Sequence, residues 1–283
     1  DELLVDFPFE NESALAYAVA LLITPLVRPL LPTSMFFLLT AIQPGMGKGV
    51  LANTVSSVVF GSSVQFQSLP SSNDEMRKML TSLVTSGATF RAFDEVEELK
   101  SSVLNGFITS EFWVDRLLGT STEIEAANKV TLLATGNQIK VPADASRRVL
   151  RVSLHTNDPD PQNRGGFKHR LPQWAKESRV SLLAALLTLI TAWYDRGQPE
   201  APSDITVGSF EEFQRVIGGI LHLTGISGFL EDLDEQREKY DYDGQQWYGH
   251  LDWLRSTFGE VEFISKDVAT TALSDLDALM PPD

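Results

Sequence analysis

The segment Met35-Phe36-Phe37-Leu38-Leu39-Thr40-Ala41-Ile42 runs with one polar side chain into Gln43-Pro44-Gly45-Met46-Gly47-Lys48-Gly49, and the composition then turns helical from Lys48 to about Phe60. A short continuous apolar run of this kind reads as a strand buried on both faces of a parallel sheet. Glycines in the turn let the backbone wrap closely and aim its N–H groups at an anion, and the N-terminus of the next helix adds a favourable partial charge. Lys48 supplies a point charge beside them. Strand, glycine turn and lysine-headed helix are the context that a phosphate-binding loop requires. Gln43, Pro44, Gly45, Met46, Gly47, Lys48, Gly49 and Val50 are therefore the candidate nucleotide-binding residues. Two positions depart from the usual pattern. Ile42 stands where the first glycine is expected, and Gly49 stands where a serine or threonine hydroxyl would touch Mg²⁺, so a water or another side chain has to serve there. A turn made of glycine for steric reasons alone is the alternative, but it gives Lys48 no purpose.

The next strands carry the polar residues such a loop needs. Ala88 to Phe93 reads as a strand that ends in Asp94-Glu95. Beside a bound nucleotide, Asp94 would hold the hydrated Mg²⁺ and Glu95 would polarise the attacking water. The alternative is a strand whose terminal acids run on into a solvated helix with Glu97 and Glu98. Val130 to Thr135 is a further buried strand, followed by Gly136-Asn137; Asn137 either hydrogen-bonds the γ-phosphate or its water, or only ends the strand in a turn. Arg147-Arg148 immediately precedes the strand Val149 to Leu154. An arginine there can reach a neighbouring subunit's γ-phosphate, with Arg148 slightly preferred to Arg147, or form an ordinary ion pair with Asp144.

Between these lie a helix from Glu12 to Val27 with Asn11 as N-cap, a short strand at Ser63 to Gln67, helices at Asn73 to Ser86 and Ser101 to Ser110, and a hairpin-like insert from Phe112 to Lys129. Helices are expected from Gln173 to Arg196 and from Ser209 to Leu223. Strands alternating with helices imply an α/β fold with a parallel central sheet flanked by helices, of P-loop NTPase type, followed by a helical region. The divisions are an N-terminal helical segment (1–31), an ATPase core (32–160), a helical lid (161–235) and a small winged-helix-like tail (236–283), the last read from helix, Phe258-Gly259, short strand and helix.

The absence of cysteine excludes disulfides, thiolate metal sites and a cysteine nucleophile. His155, His169, His222 and His250 lack metal-ligand spacing. The longest apolar stretch is interrupted by Pro25, Arg28 and Pro29, which argues against a membrane span. With no basic, apolar leader before Asp1, the chain reads as a fragment of a cytoplasmic protein.

The order of phosphate loop, Asp94-Glu95, insert, Ala134-Thr135-Gly136-Asn137 and Arg147-Arg148 resembles the AAA+ and superfamily 3 helicase arrangement, in which Asn137 would be the residue called sensor 1. Phe167-Lys168-His169-Arg170-Leu171-Pro172-Gln173-Trp174, the helix Arg179 to Trp193, Gly197-Gln198-Pro199 and Gly208-Ser209-Phe210-Glu211 resemble the helicase region of phage and mobile-element primase-helicases, over about Pro8 to Leu230. The resemblance implies a ring, a hexamer, that uses ATP and Mg²⁺ to move on single-stranded DNA threaded through its pore. It implies a primase or polymerase module in the same full-length protein, in the cytoplasm of a bacterial host or a virus-infected cell. It makes the insert a pore hairpin contacting DNA through Gly119, Thr120, Ser121 and Thr122, with Lys129 at its base. Arg116 would face a neighbour's nucleotide or pair with an acid, and Arg179 would be a lid arginine or a helix-surface ion pair.

The net charge of −15 sits against a DNA surface, which is ordinarily basic. From Arg147 to Arg179, eight Lys/Arg face three Asp/Glu, so any polyanion contact should be focal and fall on this segment or on a ring of subunits. Two other functions stay open. A nucleotide-kinase-like phosphotransferase shares Pro44-Gly45-Met46-Gly47-Lys48-Gly49 but lacks a strand ending in Asp-Glu. A non-catalytic nucleotide-binding ring module finds its hint in Gly49.

Overall fold

A computed structural model describes residues 2–117, 122–158, 160–202, 205–240 and 242–274. The chain enters through a strap, residues 2–10, that is turned over 2–6, and then helix α1 (Glu12–Val27), whose N-cap is Asn11: its Oδ1 accepts from the Ala14 N–H at 2.8 Å. Strand β1 (Phe36–Ala41) leads through the glycine turn into α2 (Lys48–Val59), then β2 (Phe66–Gln67), α3 (Asn73–Thr85), β3 (Phe90–Phe93) and α4 (Ser102–Ile108). The insert is β4 (Phe112–Arg116) and β5 (Glu123–Ala127), followed by β6 (Thr131–Asn137), the turn helix α5 (Ala143–Ser146) and β7 (Val149–Leu154).

Among the described residues, five strands form one parallel sheet in the order β2-β3-β6-β1-β7, and β4 and β5 pair antiparallel apart from it. Every residue of β1 is buried, as a run apolar on both faces requires. Successive side chains take opposite faces: Phe36 stacks over Phe93 of β3 at 6.4 Å, and Phe37 meets Phe213 at 6.5 Å edge-on. This is a P-loop-type α/β architecture with helices on the sheet.

Helix α1 has the bounds expected from the sequence, takes Pro25 into its last turn, and passes into a 3-10 turn over Arg28–Leu30. By length and composition it could cross a membrane, but 67% of its apolar window is buried inside the fold, against β7, α2 and the C-terminal helices.

The single helix expected from Gln173 to Arg196 is broken at Ser178 into α6 (Gln173–Glu177) and α7 (Arg179–Asp195). The next expected helix is α8 (Glu211–Phe213) and α9 (Gly219–Leu223), joined by a π-turn over Gln214–Gly218. The tail is helical: α10 (Leu233–Tyr240), α11 (Tyr242–Phe258) and α12 (Ser265–Ser274). The strand expected after Phe258-Gly259 does not form among the described residues, which leaves the winged-helix expectation without its wing. Val261, Phe263 and Ile264 are exposed there and have no sheet edge to pair with; the Ile264 N–H goes instead to Asp267 Oδ2 at 3.0 Å, starting α12.

Candidate functional site

The site lies at the C-terminal edge of the sheet. Parallel pairing sets the register there: Ala41 at the end of β1 faces Asn137 of β6, and Phe93 at the end of β3 faces Ala134, three residues earlier on β6. The glycine turn leaves β1 at that edge, with Gly45 at φ +80° and Gly47 at φ +94°, values that L side chains rarely adopt. Gly45 is also closed by a neighbour: a Cβ there would stand 2.7 Å from Cβ of Gln162, in the turn after β7. Met46 is buried with Ala41 and Leu154 against the rings of Phe7 and Phe9, which anchors the loop to the N-terminal strap. Gln43, Pro44, Gly45, Gly49 and Val50 stay exposed, with their backbone open to a ligand.

Lys48, the first residue of α2, extends Nζ to Asn137 Oδ1 at 2.6 Å, across 89 residues of sequence. Partial burial holds its ammonium below the ordinary lysine range, and the nearby charge of Asp94 opposes that shift. Asp94 is exposed just past β3, and its Oδ1 accepts from the Thr135 hydroxyl and from the Glu95 N–H, the latter at 2.9 Å. Lys48, Asp94, Glu95 and Asn137 are thereby brought together on one edge.

Glu95 does not enter a helix. It sits at φ +53°, and the chain beyond it runs extended beside β6, with Val96 N–H on Thr135 O at 2.9 Å and Leu99 N–H on Lys140 O at 2.9 Å. This approach explains Gly136: a Cβ on it would overlap the Val96 carbonyl oxygen and stand 2.7 Å from Ile139 Cγ1. The donor set fits a hydrated Mg²⁺, which binds through one or two carboxylates plus phosphate oxygens and keeps several waters. Among the described residues, no group of three or more His, Cys, Asp or Glu comes together, and the carboxylates of Asp94 and Glu95 are both exposed.

The two arginines lie at the other edge. Phe36 N–H donates to Arg148 O at 2.8 Å at the start of β1, about 20 Å of strand from the loop that ends it. Arg147 is exposed, whereas Nε and Nη1 of Arg148 are buried without a protein acceptor, and burial followed by the charge of Arg147 lowers the Arg148 pKa.

The basic segment does not form one patch. Arg151 is buried in β7; Arg164 donates to Asp6 O at 2.6 Å, and Lys168 pairs with Glu2 at 3.2 Å, both fastening the strap. Arg179 is no lid over the loop: its Nη2 caps Val59 O at 3.1 Å, at the far end of α2. Arg147, Arg170 and Lys176 remain exposed.

The hairpin packs on α3, where Trp113 Nε1 donates to Thr81 Oγ1 at 2.9 Å and Thr81 donates to Asp115 Oδ2 at 2.7 Å. Its outer wall exposes Phe112, Val114 and Arg116 together with Glu123 and Glu125, with Arg116 directly opposite Glu123. Gly119, Thr120 and Ser121 lie outside the described residues. Thr122 closes the hairpin by accepting from Leu117 N–H at 2.9 Å. Lys129 spends its ammonium on Leu31 O at 2.9 Å. Bases could in principle stack on tryptophans, but Trp193 and Trp253 are core, Trp174 stacks on His169 at 3.7 Å, and Trp247 is 47% exposed.

Sequence reasoning missed three participants. Thr135 left a trace, as a hydroxyl inside an apolar strand. Phe7 and Gln162 left none, because their proximity to the loop is set by distant chain.

No family model matches the sequence, and no curated protein matches it. Among solved structures, the chain is similar to the NrS-1 C-terminal region in its A form without ligand, at 12% identity over 90% of this chain and 55% of that one, with a TM-score of 0.46. A shorter form of that region, 305–718, aligns over 83% of this chain and 67% of its own, at 12% identity and a TM-score of 0.35. Cch of SCCmec type IV, described as an active helicase, aligns at 14% identity over 92% of this chain and 55% of its own, with a TM-score of 0.40. The chain thus spans a little over half the length of the first and third of these proteins.

Proposed function

We propose that this chain is an ATP-hydrolysing motor domain that acts on DNA as part of a ring. The observation that carries the reading is the convergence of Lys48, Asn137, Asp94 and Glu95 at the edge where the glycine turn leaves β1. Lys48 and the loop N–H groups would hold the β- and γ-phosphates. Bound Mg²⁺ would neutralise charge on those oxygens. Glu95 would orient a water for attack on the γ-phosphorus and take its proton as the bond to ADP breaks, while Asn137 fixes the water or a γ-oxygen. The adenine has apolar surface beside the loop: Phe7 lies 3.6 Å from the place of a Cβ on Gly47 and lines an 860 Å³ cavity with Leu4, Leu15, Leu186 and Leu189.

Arg147 and Arg148 are too far from their own loop to act on it, which supports a role across a subunit interface, with the exposed Arg147 the better placed. DNA contact by the tip of the hairpin, a hexameric ring and a primase or polymerase module elsewhere in a longer chain belong to the same proposal.

The test measures ATP turnover with and without single-stranded DNA, and mass at the same protein concentration. Glu95→Gln is expected to retain ATP binding and lose turnover by about 10²-fold or more; normal turnover in that variant would remove Glu95 from its role. Product analysis separates this from phosphotransfer, because label from γ-phosphate should appear in inorganic phosphate and not in a nucleoside diphosphate made from added monophosphate.

A further inference from the structure

We infer that Thr135 is the positioning residue of the metal carboxylate, acting through Asp94 in a loop that lacks its own hydroxyl. The inference rests on the nucleotide reading above and deepens it. Thr135 is 1% exposed in the middle of β6, flanked by Ala134 and Gly136. A hydroxyl taken out of water into an apolar strand is costly unless it is hydrogen-bonded, and this one donates to Asp94 Oδ1, 41 residues away. The Glu95 N–H falls on the same oxygen. Two donors on Oδ1 fix the rotation of the carboxylate. Among the described residues no hydrogen-bond donor is found on Oδ2, and Asp94 itself is exposed, so that oxygen is open to a cation.

The orientation matters more here than in a loop with a serine or threonine after the lysine. There the hydroxyl gives the cation a second protein ligand. Gly49 gives none, so one carboxylate must hold the cation against the phosphates, and a carboxylate free to rotate would hold it less well. Thr135 touches neither substrate nor metal in this scheme; it sets the direction of the group that does. The space at position 49 is open, since a Cβ there would meet nothing within 4 Å.

The experiment measures binding of a fluorescent ATP analogue to the whole chain, first without metal and then along a Mg²⁺ titration. Thr135→Val keeps the shape and removes the donor. It is expected to bind the metal-free nucleotide as the parent does, and to need about 10-fold more Mg²⁺ for the metal-dependent gain in affinity, the scale of a lost outer-shell hydrogen bond. Thr135→Ser should recover the parent's Mg²⁺ midpoint to within about 3-fold, and Gly49→Ser in the Thr135→Val background should recover part of it. A purely structural role would lower the melting temperature without moving the Mg²⁺ midpoint, and that result overturns the inference. An unchanged midpoint in Thr135→Val does the same. Should the valine protein not fold, Thr135→Ala and Thr135→Ser decide the matter: equal midpoints overturn the inference, and a shift in the alanine variant alone supports it. A parent chain that binds no ATP analogue at all defeats the nucleotide reading instead.

Discussion

Gly136 shows how one residue ties the site together. It is glycine because the chain leaving Glu95 brings the Val96 carbonyl onto its backbone, which ties the residue after Glu95 to the end of β6. Gly136→Ala is expected to lower stability by about 1–3 kcal/mol, the usual cost of overpacking, read as a drop in the denaturant midpoint at constant slope. Turnover should fall with it, because relief of the clash parts Glu95 from the loop. Asn137→Ala separates binding from chemistry. Lys48 loses its 2.6 Å partner but keeps its charge, so ATP affinity should change little, while kcat falls by about 10²-fold if the amide stabilises charge or holds the water. Equal losses in affinity and kcat would instead make Asn137 a holder of Lys48 and nothing more.

At the scale of elements, the foot of the hairpin is locked by an arginine that sequence periodicity could not place. Arg28 is 1% exposed and donates to Val130 O at 3.2 Å, Leu31 O at 2.7 Å and Asn128 O at 2.6 Å, so the end of α1 grips the join between β5 and β6. Asn128 extends the lock by donating to Phe107 O at 2.8 Å and Ser110 O at 3.2 Å. Burial lowers the Arg28 pKa to about 10, so the guanidinium remains charged at neutral pH and needs its three acceptors. Arg28→Met is expected to cost about 2–4 kcal/mol, because it strands buried carbonyls that now have a charged donor. Unfolding by urea measures that loss, and limited proteolysis should then find the hairpin cut earlier than in the parent.

For the whole molecule, the question raised by a net charge of −15 is where a polyanion could lie. Half of the eight cations between Arg147 and Arg179 hold the fold: Arg151 inside β7, Arg164 and Lys168 on the strap, Arg179 at the end of α2. On the function proposed above, a DNA path would repeat the few exposed cations around a ring, and Arg147 would act on a neighbouring subunit. Arg147→Ala subunits mixed with parent subunits should depress ATP turnover by more than their share of the mixture. A loss strictly linear in the mixing ratio rules out action across an interface. Binding of single-stranded DNA by one subunit should fall only gently with added salt, because the slope of log K against log salt is about −0.7 per phosphate neutralised and few are neutralised per subunit.

The sequence by itself determined the local grammar: an apolar strand that must be buried, a glycine turn that must follow it, a lysine at the helix start, and acids or an asparagine where later strands end. These are legible because backbone sterics and hydrophobic period act within a few residues. Only the tertiary structure decided which strands are neighbours, and with that the meeting of Lys48 with Asn137 and of Thr135 with Asp94, the spending of the basic segment on the strap, the break at Ser178 and the missing wing of the tail. Parallel strands get their partners from chain far away, through packing that no window of sequence contains, so the site's parts could be read one by one while their contacts could not.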